Sequence, residues 1–282
     1  MDGTENGALR LCIFDPTGNI TALVESAVEP EAQPSAAARI MARFPAVEQV
    51  GFVCLPERED EPVALRMAGG EFCGNASMSA GALALLRRAS AAAHDGAWET
   101  VRVRVAGVSH EVELRLRRET ENGFRASVRM PPPTAIEERA FAFGALRGKL
   151  PLVRAEGISH AIVTPDSAFF ALLRDGEAAE NAARALCAAL GAEGLGLMFL
   201  EGEAPRLRLT PLVYVPGSGT VFWENSCASG SAAAGTALSA QNGAPVRLEL
   251  SEPGGTLLVE SDAARGETWL LGRTRLTAVE TV

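Results

Sequence analysis

Residues 69–85 read GGEFCGNASMSAGALAL and place Cys73 directly ahead of a run of small, uncharged residues. Such a run has no polar face to turn toward water, so it predicts a helix buried on all sides, over about residues 74–89. A second stretch repeats the first. CGNASMSAG from Cys73 and CASGSAAAG from Cys227 share Cys, then Ser four positions on, Ala seven on and Gly eight on, which pairs Ser77 with Ser231, Ala80 with Ala234 and Gly81 with Gly235. The two cysteines lie 154 positions apart, a little over half of the 282 residues, as two related lobes would require. The second helix is expected over about 228–241, ending near QNG, where glycine suits a helix C-terminus.

Strands are expected in alternating or apolar runs on both sides of these helices: LRLCIFD, VEQVGFVCL, VRVRVAGV, HEVELRLRR and RASVRM before them or between them, then GISHAIV, LGLMFLE, RLRLTPLVYV, VRLEL and TLLVE. SAAARIMARF, SAFFALLRD and EAAENAARALCAAL read as further helices. Pro131, Pro132 and Pro133 fit neither a central strand nor a helix interior and mark the lobe boundary. The expected organisation is an N-terminal lobe over 1–133, a C-terminal lobe over 134–271 and a cleft between them. The run WLLGRTRLTAV suits either half, and a strand at 272–282 would complete the first lobe.

Composition removes several functions. A net charge of -9, from 26 Lys plus Arg against 35 Asp plus Glu, gives no electrostatic footprint for nucleic acid or an anionic membrane. No apolar run approaches the roughly 20 residues of a membrane helix, and the start MDGTENGALRLCIF lacks the layout of a signal peptide, so a cytoplasmic protein is expected. Five scattered cysteines without a CxxC pair suggest neither disulfides nor zinc, and the three histidines form no ligand cluster; no metal is expected. His94 and His110 receive no role. Lys149, in the turn-like LRGKLP, is the only lysine and so the only residue able to form a Schiff base.

Cys12, Cys54 and Cys187 read as small core hydrophobes. Cys73 and Cys227 are different because each opens a helix. A helix N-terminus offers unpaired amides and partial positive charge, which bind a carboxylate and lower the pKa of a thiol. Two such ends facing one another could hold an amino acid with its α-carbon between two sulfurs, one removing the α-proton and the other returning a proton to the opposite face. That is racemisation with no cofactor. Asn19, Glu48, Gln49, Glu224 and Asn225 lie in neighbouring motifs and are candidate pocket residues. A non-catalytic amino-acid-binding protein, or a redox sensor in which the two thiols pair reversibly, uses the same residues.

These motifs resemble the diaminopimelate epimerase-like superfamily over essentially the whole chain, from Gly18-Asn19 through EFCGN (71–75) and SCASGS (226–231) to PGGTLLV (253–259). The resemblance implies two pseudo-symmetric α/β lobes, each a curled mixed sheet around a central buried helix. Where diaminopimelate epimerase has a Glu-Arg pair and a Gly-Asn-Pro-His turn, this chain has WENSC and GISHAIV, with Ile158 and Ser159 in place of Asn and Pro. A substrate with one amino-acid head is therefore favoured over diaminopimelate. DPTGNITALV, EQVGF, EFCGNASMS, PLVYVP and FWENSCASGSA are similar to the histidine racemases of metallophore biosynthesis. Carried over, Cys73 and Cys227 become the acid/base pair. Asn19, Glu48, Gln49, Gly74, Asn75, Glu224, Asn225 and Ala228 become pocket residues, with Ser229, Gly230 and Ser231 offering amides to the carboxylate. The implied partner is a small amino acid, with a homodimer left open.

Overall fold

A computed structural model describes residues 8–88, 96–217 and 219–282. His94 lies outside the described residues. The first half contains β1 (Arg10–Pro16), β2 (Thr21–Val24), α1 (Gln33–Arg43), β3 (Gln49–Cys54), β4 (Val63–Met67), α2 (Gly74–Arg87), β5 (Glu99–Val105), β6 (Val112–Arg118) and β7 (Gly123–Arg129). The second contains β8 (Ala135–Phe143), β9 (Leu146–Arg154), β10 (Ser159–Val163), a 3₁₀ helix (Ala168–Arg174), α3 (Gly176–Leu190), β11 (Leu195–Glu203) and β12 (Arg206–Val215). It continues with β13 (Thr220–Trp223), α4 (Ala228–Asn242), β14 (Val246–Glu252), β15 (Gly255–Asp262) and β16 (Glu267–Thr281).

The strands form one sheet in the order β1-β2-β3-β4-β5-β6-β7-β16-β15-β14-β12-β11-β10-β9-β8, with β13 on β12. An additional β1–β16 pairing closes the first eight into a barrel around α2. The remaining strands curl around α4, which packs on β9, β10, β11, β14, β15 and β16. This is the expected two-lobed mixed α/β fold, with one central helix in each lobe. Most pairings are antiparallel, but β2–β3, β4–β5, β10–β11 and β12–β14 run parallel.

The strand pattern follows from alternation. In β5, Val101, Val103 and Val105 face the core while Arg102 and Arg104 face water. Inside the barrel, every residue of α2 from Gly74 to Leu85 is buried. The repeat glycines explain how strands close so tightly on both helices. A Cβ on Gly81 would lie 2.7 Å from Leu114 Cδ1, and one on Gly235 would lie 2.5 Å from Val259 Cγ1. Gly235→Ala is thus expected to cost a net ~1–3 kcal/mol by overpacking, although alanine is the better helix former. Urea unfolding that finds the variant as stable as wild type would remove this account of the repeat.

Three local readings change. LRGKLP is strand rather than turn, because residues 146–154 pair with β8 and β10 to form β9. SAFFALLRD forms a 3₁₀ rather than an α-helix, started by the Ser167 hydroxyl accepting from the Phe169 amide. Cys54 is exposed because it is the last residue of β3, past the covered stretch Val50–Val53, while Cys12 and Cys187 are buried. No helix among the described residues is long and apolar enough to cross a membrane.

Candidate active site

Both cysteines are the N-caps of the central helices. Cys73 (φ -133°, ψ 114°) precedes α2 and accepts from the Ala76 amide at 3.4 Å; Cys227 (φ -124°, ψ 98°) precedes α4 and accepts from the Gly230 amide at 3.4 Å. Sulfur therefore does what a serine or aspartate oxygen does at most helix starts. The two ends meet: a Cβ on Gly74 would stand 2.8 Å from Ala228 Cβ. In each helix the first two amides, those of Gly74 and Asn75 and of Ala228 and Ser229, have no intrahelical acceptor and remain donors for an anion.

Between these ends lies a cavity of about 80 Å³, several times the room one water needs. It is lined by Asn19, Gln49, Cys73, Gly74, Asn75, Glu224, Cys227, Ala228 and Ser229, all anticipated from sequence. Phe72, Glu71, Ile158, Val213, Val215 and Ser226 also line it and were not anticipated as site residues. Glu71, Phe72, Ile158, Val213, Val215 and Ser226 all sat inside quoted motifs, but the two valines of PLVYVP look like ordinary strand residues and gave no sign of a pocket role. Lys149 is exposed on β9 and does not line the cavity.

Four anticipated residues are placed elsewhere. Glu48 and Asn225 meet at the rim, where Asn225 Nδ2 donates to Glu48 Oε1 at 2.5 Å. Gly230 is buried, with its amide on the Cys227 sulfur. The Ser231 amide goes to the Cys227 carbonyl and its hydroxyl to Glu252, so it offers nothing to the cavity.

A polar chain orients the Cys73 side. The thiol donates to Gln49 Oε1 at 3.1 Å, Gln49 Nε2 to Thr21 Oγ1 at 2.8 Å, and the Thr21 hydroxyl to the Asn19 carbonyl. Asn19 and Asn75 both donate to the Ser226 carbonyl, at 2.7 and 3.1 Å, leaving each Oδ1 buried and unpartnered at the cavity. On the other side, Cys227 Sγ lies 3.6 Å from the Ser229 hydroxyl, which is 3.1 Å from His160 Nε2. Burial pulls the His160 pKa down to about 4, so this imidazole is neutral at pH 7.

The thiols do not behave as helix position alone suggests. Burial pushes Cys73 up to about 12 and Cys227 well above its ordinary value. The Ala76 amide lowers Cys73, but the carboxylates of Glu71 and Glu224 raise it again; Cys227 is raised further by Glu224 and Glu252. Desolvation of the sulfur outweighs the helix amides. Burial also lifts Glu224 to about 7, with the Cys227 thiol opposing and the Glu48 and Glu71 charges reinforcing the rise. Among the described residues no group of three or more His, Cys, Asp or Glu could hold a metal.

Solved structures that share this fold include a hydroxyproline epimerase, a probable proline racemase and a methylitaconate isomerase. The hydroxyproline epimerase, from Agrobacterium vitis, superposes with a TM-score of 0.67 at 12% identity, over 99% of this chain and 93% of that one. A predicted epimerase from Pseudomonas aeruginosa superposes with a TM-score of 0.65 at 14% identity, over 97% and 99%. The family described as the histidine racemase CntK N-terminal domain matches residues 9–272, and the chain belongs to that family. Histidine racemases from Fusobacterium nucleatum (31% identical over 271 residues, 93% of each chain) and Staphylococcus aureus (28% over 251 residues, 88% of this chain and 86% of that one) are among its relatives. The protein is an isomerase of the racemase and epimerase class.

Proposed function

We propose that this protein interconverts L- and D-histidine, with Cys73 and Cys227 exchanging protons on opposite faces of the α-carbon. The observation that carries the reading is the pair of N-cap cysteines whose helix ends touch across one cavity. The substrate carboxylate rests on the first-turn amides of α2 and α4. One sulfur, as thiolate, takes the α-proton, and the electron pair of the C–H bond passes into the carboxylate. The other, as thiol, gives its proton to the opposite face and is left as thiolate. The proton count of the protein is unchanged and only its location is exchanged, so the cycle requires no cofactor.

The raised thiol pKa values give the substrate a role in its own activation. An α-ammonium or imidazolium placed beside the sulfurs favours the thiolate and offsets part of the burial cost. Glu224, beside Cys227, and Glu48, at the rim, are the groups to hold those two nitrogen sites. With WENSC carrying no arginine before Cys227, the chain lacks the residue that would clamp a second amino-acid head.

The direct test is proton NMR of reduced protein in deuterated buffer with L-histidine, a panel of other L-amino acids, and diaminopimelate. The expected result is loss of the histidine α-proton signal together with formation of D-histidine. Exchange confined to another amino acid would overturn the substrate, and exchange with none would overturn the reading.

A further inference from the structure

Behind Cys227, on the side away from the cavity, a carboxyl group is buried. Glu252 ends β14 and is 7% exposed. Its Oε2 accepts from the Cys227 amide at 2.6 Å, and its Oε1 accepts from the Ser231 hydroxyl. A carboxylate this deep is retained only when its oxygens are satisfied, and both partners belong to the start of α4.

The geometry has a local cause. The amide of an N-cap residue is ordinarily taken by a Glu or Gln three positions into the same helix. In α4 that position is Gly230, and a Cβ there would stand 2.1 Å from Met198 Sδ and 3.1 Å from the Cys227 sulfur, so a side chain at this position would have to displace Met198. Glu252 supplies the missing carboxylate from a strand 25 residues on. The other half of the repeat has no such group at the matching serine: the Ser77 hydroxyl, counterpart of Ser231, turns back to the Cys73 carbonyl at 2.7 Å.

We propose that Glu252 is a positioning residue for Cys227, fixing the first turn of α4 through the Cys227 amide and the Ser231 hydroxyl and setting a carboxyl group behind one sulfur of the pair. The catalytic consequence rests on the reading of Cys227 as an acid/base group; the hold on Cys227 does not. Glu252 acts on Cys227, whereas the glutamate acting on Cys73 besides the shared Glu224 is Glu71. As an anion Glu252 disfavours the Cys227 thiolate, and so keeps a proton on that sulfur. The charged group acting on Glu252 is Glu224, directly after β13; its hydrogen-bond partners, the Ser231 hydroxyl and the Cys227 amide, are uncharged. Burial lifts Glu252 to about 8, below the range in which the raised thiols titrate, so its charge is already in place when Cys227 ionises.

The test uses the whole protein and a readout at the sulfur itself. Glu252→Gln is isosteric: its carbonyl can accept from the Cys227 amide and its NH₂ can donate to the Ser231 hydroxyl. Iodoacetamide alkylation, followed site by site by peptide mass mapping across pH, is expected to show the Cys227 midpoint lower by roughly one pH unit with Cys73 unmoved. The pH profile of racemisation should shift in the same direction. A Cys227 midpoint at its wild-type value, or a Cys73 midpoint displaced as far, overturns the proposal. Should Glu252→Gln fail to fold, Ser231→Ala removes one anchor and keeps the charge. A severalfold fall in kcat with KM within twofold is then expected, and wild-type kcat overturns the positioning role. If the Cys227 midpoint moves but wild-type protein racemises no amino acid, the catalytic reading falls and the hold of Glu252 on Cys227 stands.

Discussion

Replacing either Cys73 or Cys227 by serine is expected to lower histidine racemisation by about 10²–10⁴-fold, the range that general acid–base groups contribute. The fold should survive, because serine is itself among the best N-caps and can accept from the same Ala76 or Gly230 amide. What is lost is acidity, since a hydroxyl neither ionises near neutral pH nor returns a proton as readily as a thiol. The two variants should also differ from each other. Each keeps one sulfur on one face, so residual solvent deuterium entry without inversion is expected from one enantiomer in Cys73→Ser and from the opposite enantiomer in Cys227→Ser. Circular dichroism, thermal midpoint and chiral chromatography separate these outcomes, and full activity in both variants would end the two-sulfur reading. The pH behaviour has a definite sign. Burial raises both thiols, so in the free protein they are neutral at pH 7. Alkylation should therefore be slow there and accelerate with pH, toward about 12 for Cys73.

Gly18→Ala is expected to be the most damaging substitution outside the cysteines. Gly18 has φ +90°, a conformation costly for any residue with a Cβ, and an added Cβ would meet Gly254 Cα at 2.4 Å. Here the β1–β2 and β14–β15 turns touch as bare backbone. The Asp15 side chain caps the Gly18 amide at 2.7 Å, and the Gly254 amide donates to the Asn225 carbonyl at 2.7 Å. Strain and overpacking together should cost about 2–5 kcal/mol, lowering the thermal midpoint by roughly 5–15 °C in a chain of this size. Because Asn19 and the Asn225–Cys227 segment hang from the same contact, activity should fall even where the variant stays folded. Calorimetry and kcat measured well below the melting range check both parts; an unchanged midpoint would mean that the turns separate at little cost.

The cysteine helices were legible because their signal is local. Small residues over a full helix leave no wet face, and the spacing of Cys, Ser, Ala and Gly repeats intact. The two-lobed fold was legible through that repetition and through strands such as β5 whose alternation is clean. Glu252 was not: in SEPGG a glutamate before Pro-Gly-Gly looks like an exposed turn residue, and only the pairing of β14 beside α4 buries it. Ser231 matched its repeat partner in sequence and yet bonds differently, because a carboxylate stands beside one serine and not at the other. Thiol acidity was misjudged for a related reason. The helix amides are written in the local sequence, whereas the desolvation that outweighs them comes from strands and turns distant in the chain.

The strand β16 pairs with β7 along one edge and with β15 and then β1 along the other. It follows every other described strand in chain order. During synthesis, then, α2 can be wrapped by at most an open sheet while most of the chain is already outside the ribosome, and neither lobe can reach its final enclosure before residues 267–281 emerge. Two halves that look like independent copies must complete folding together, late, and through a single segment.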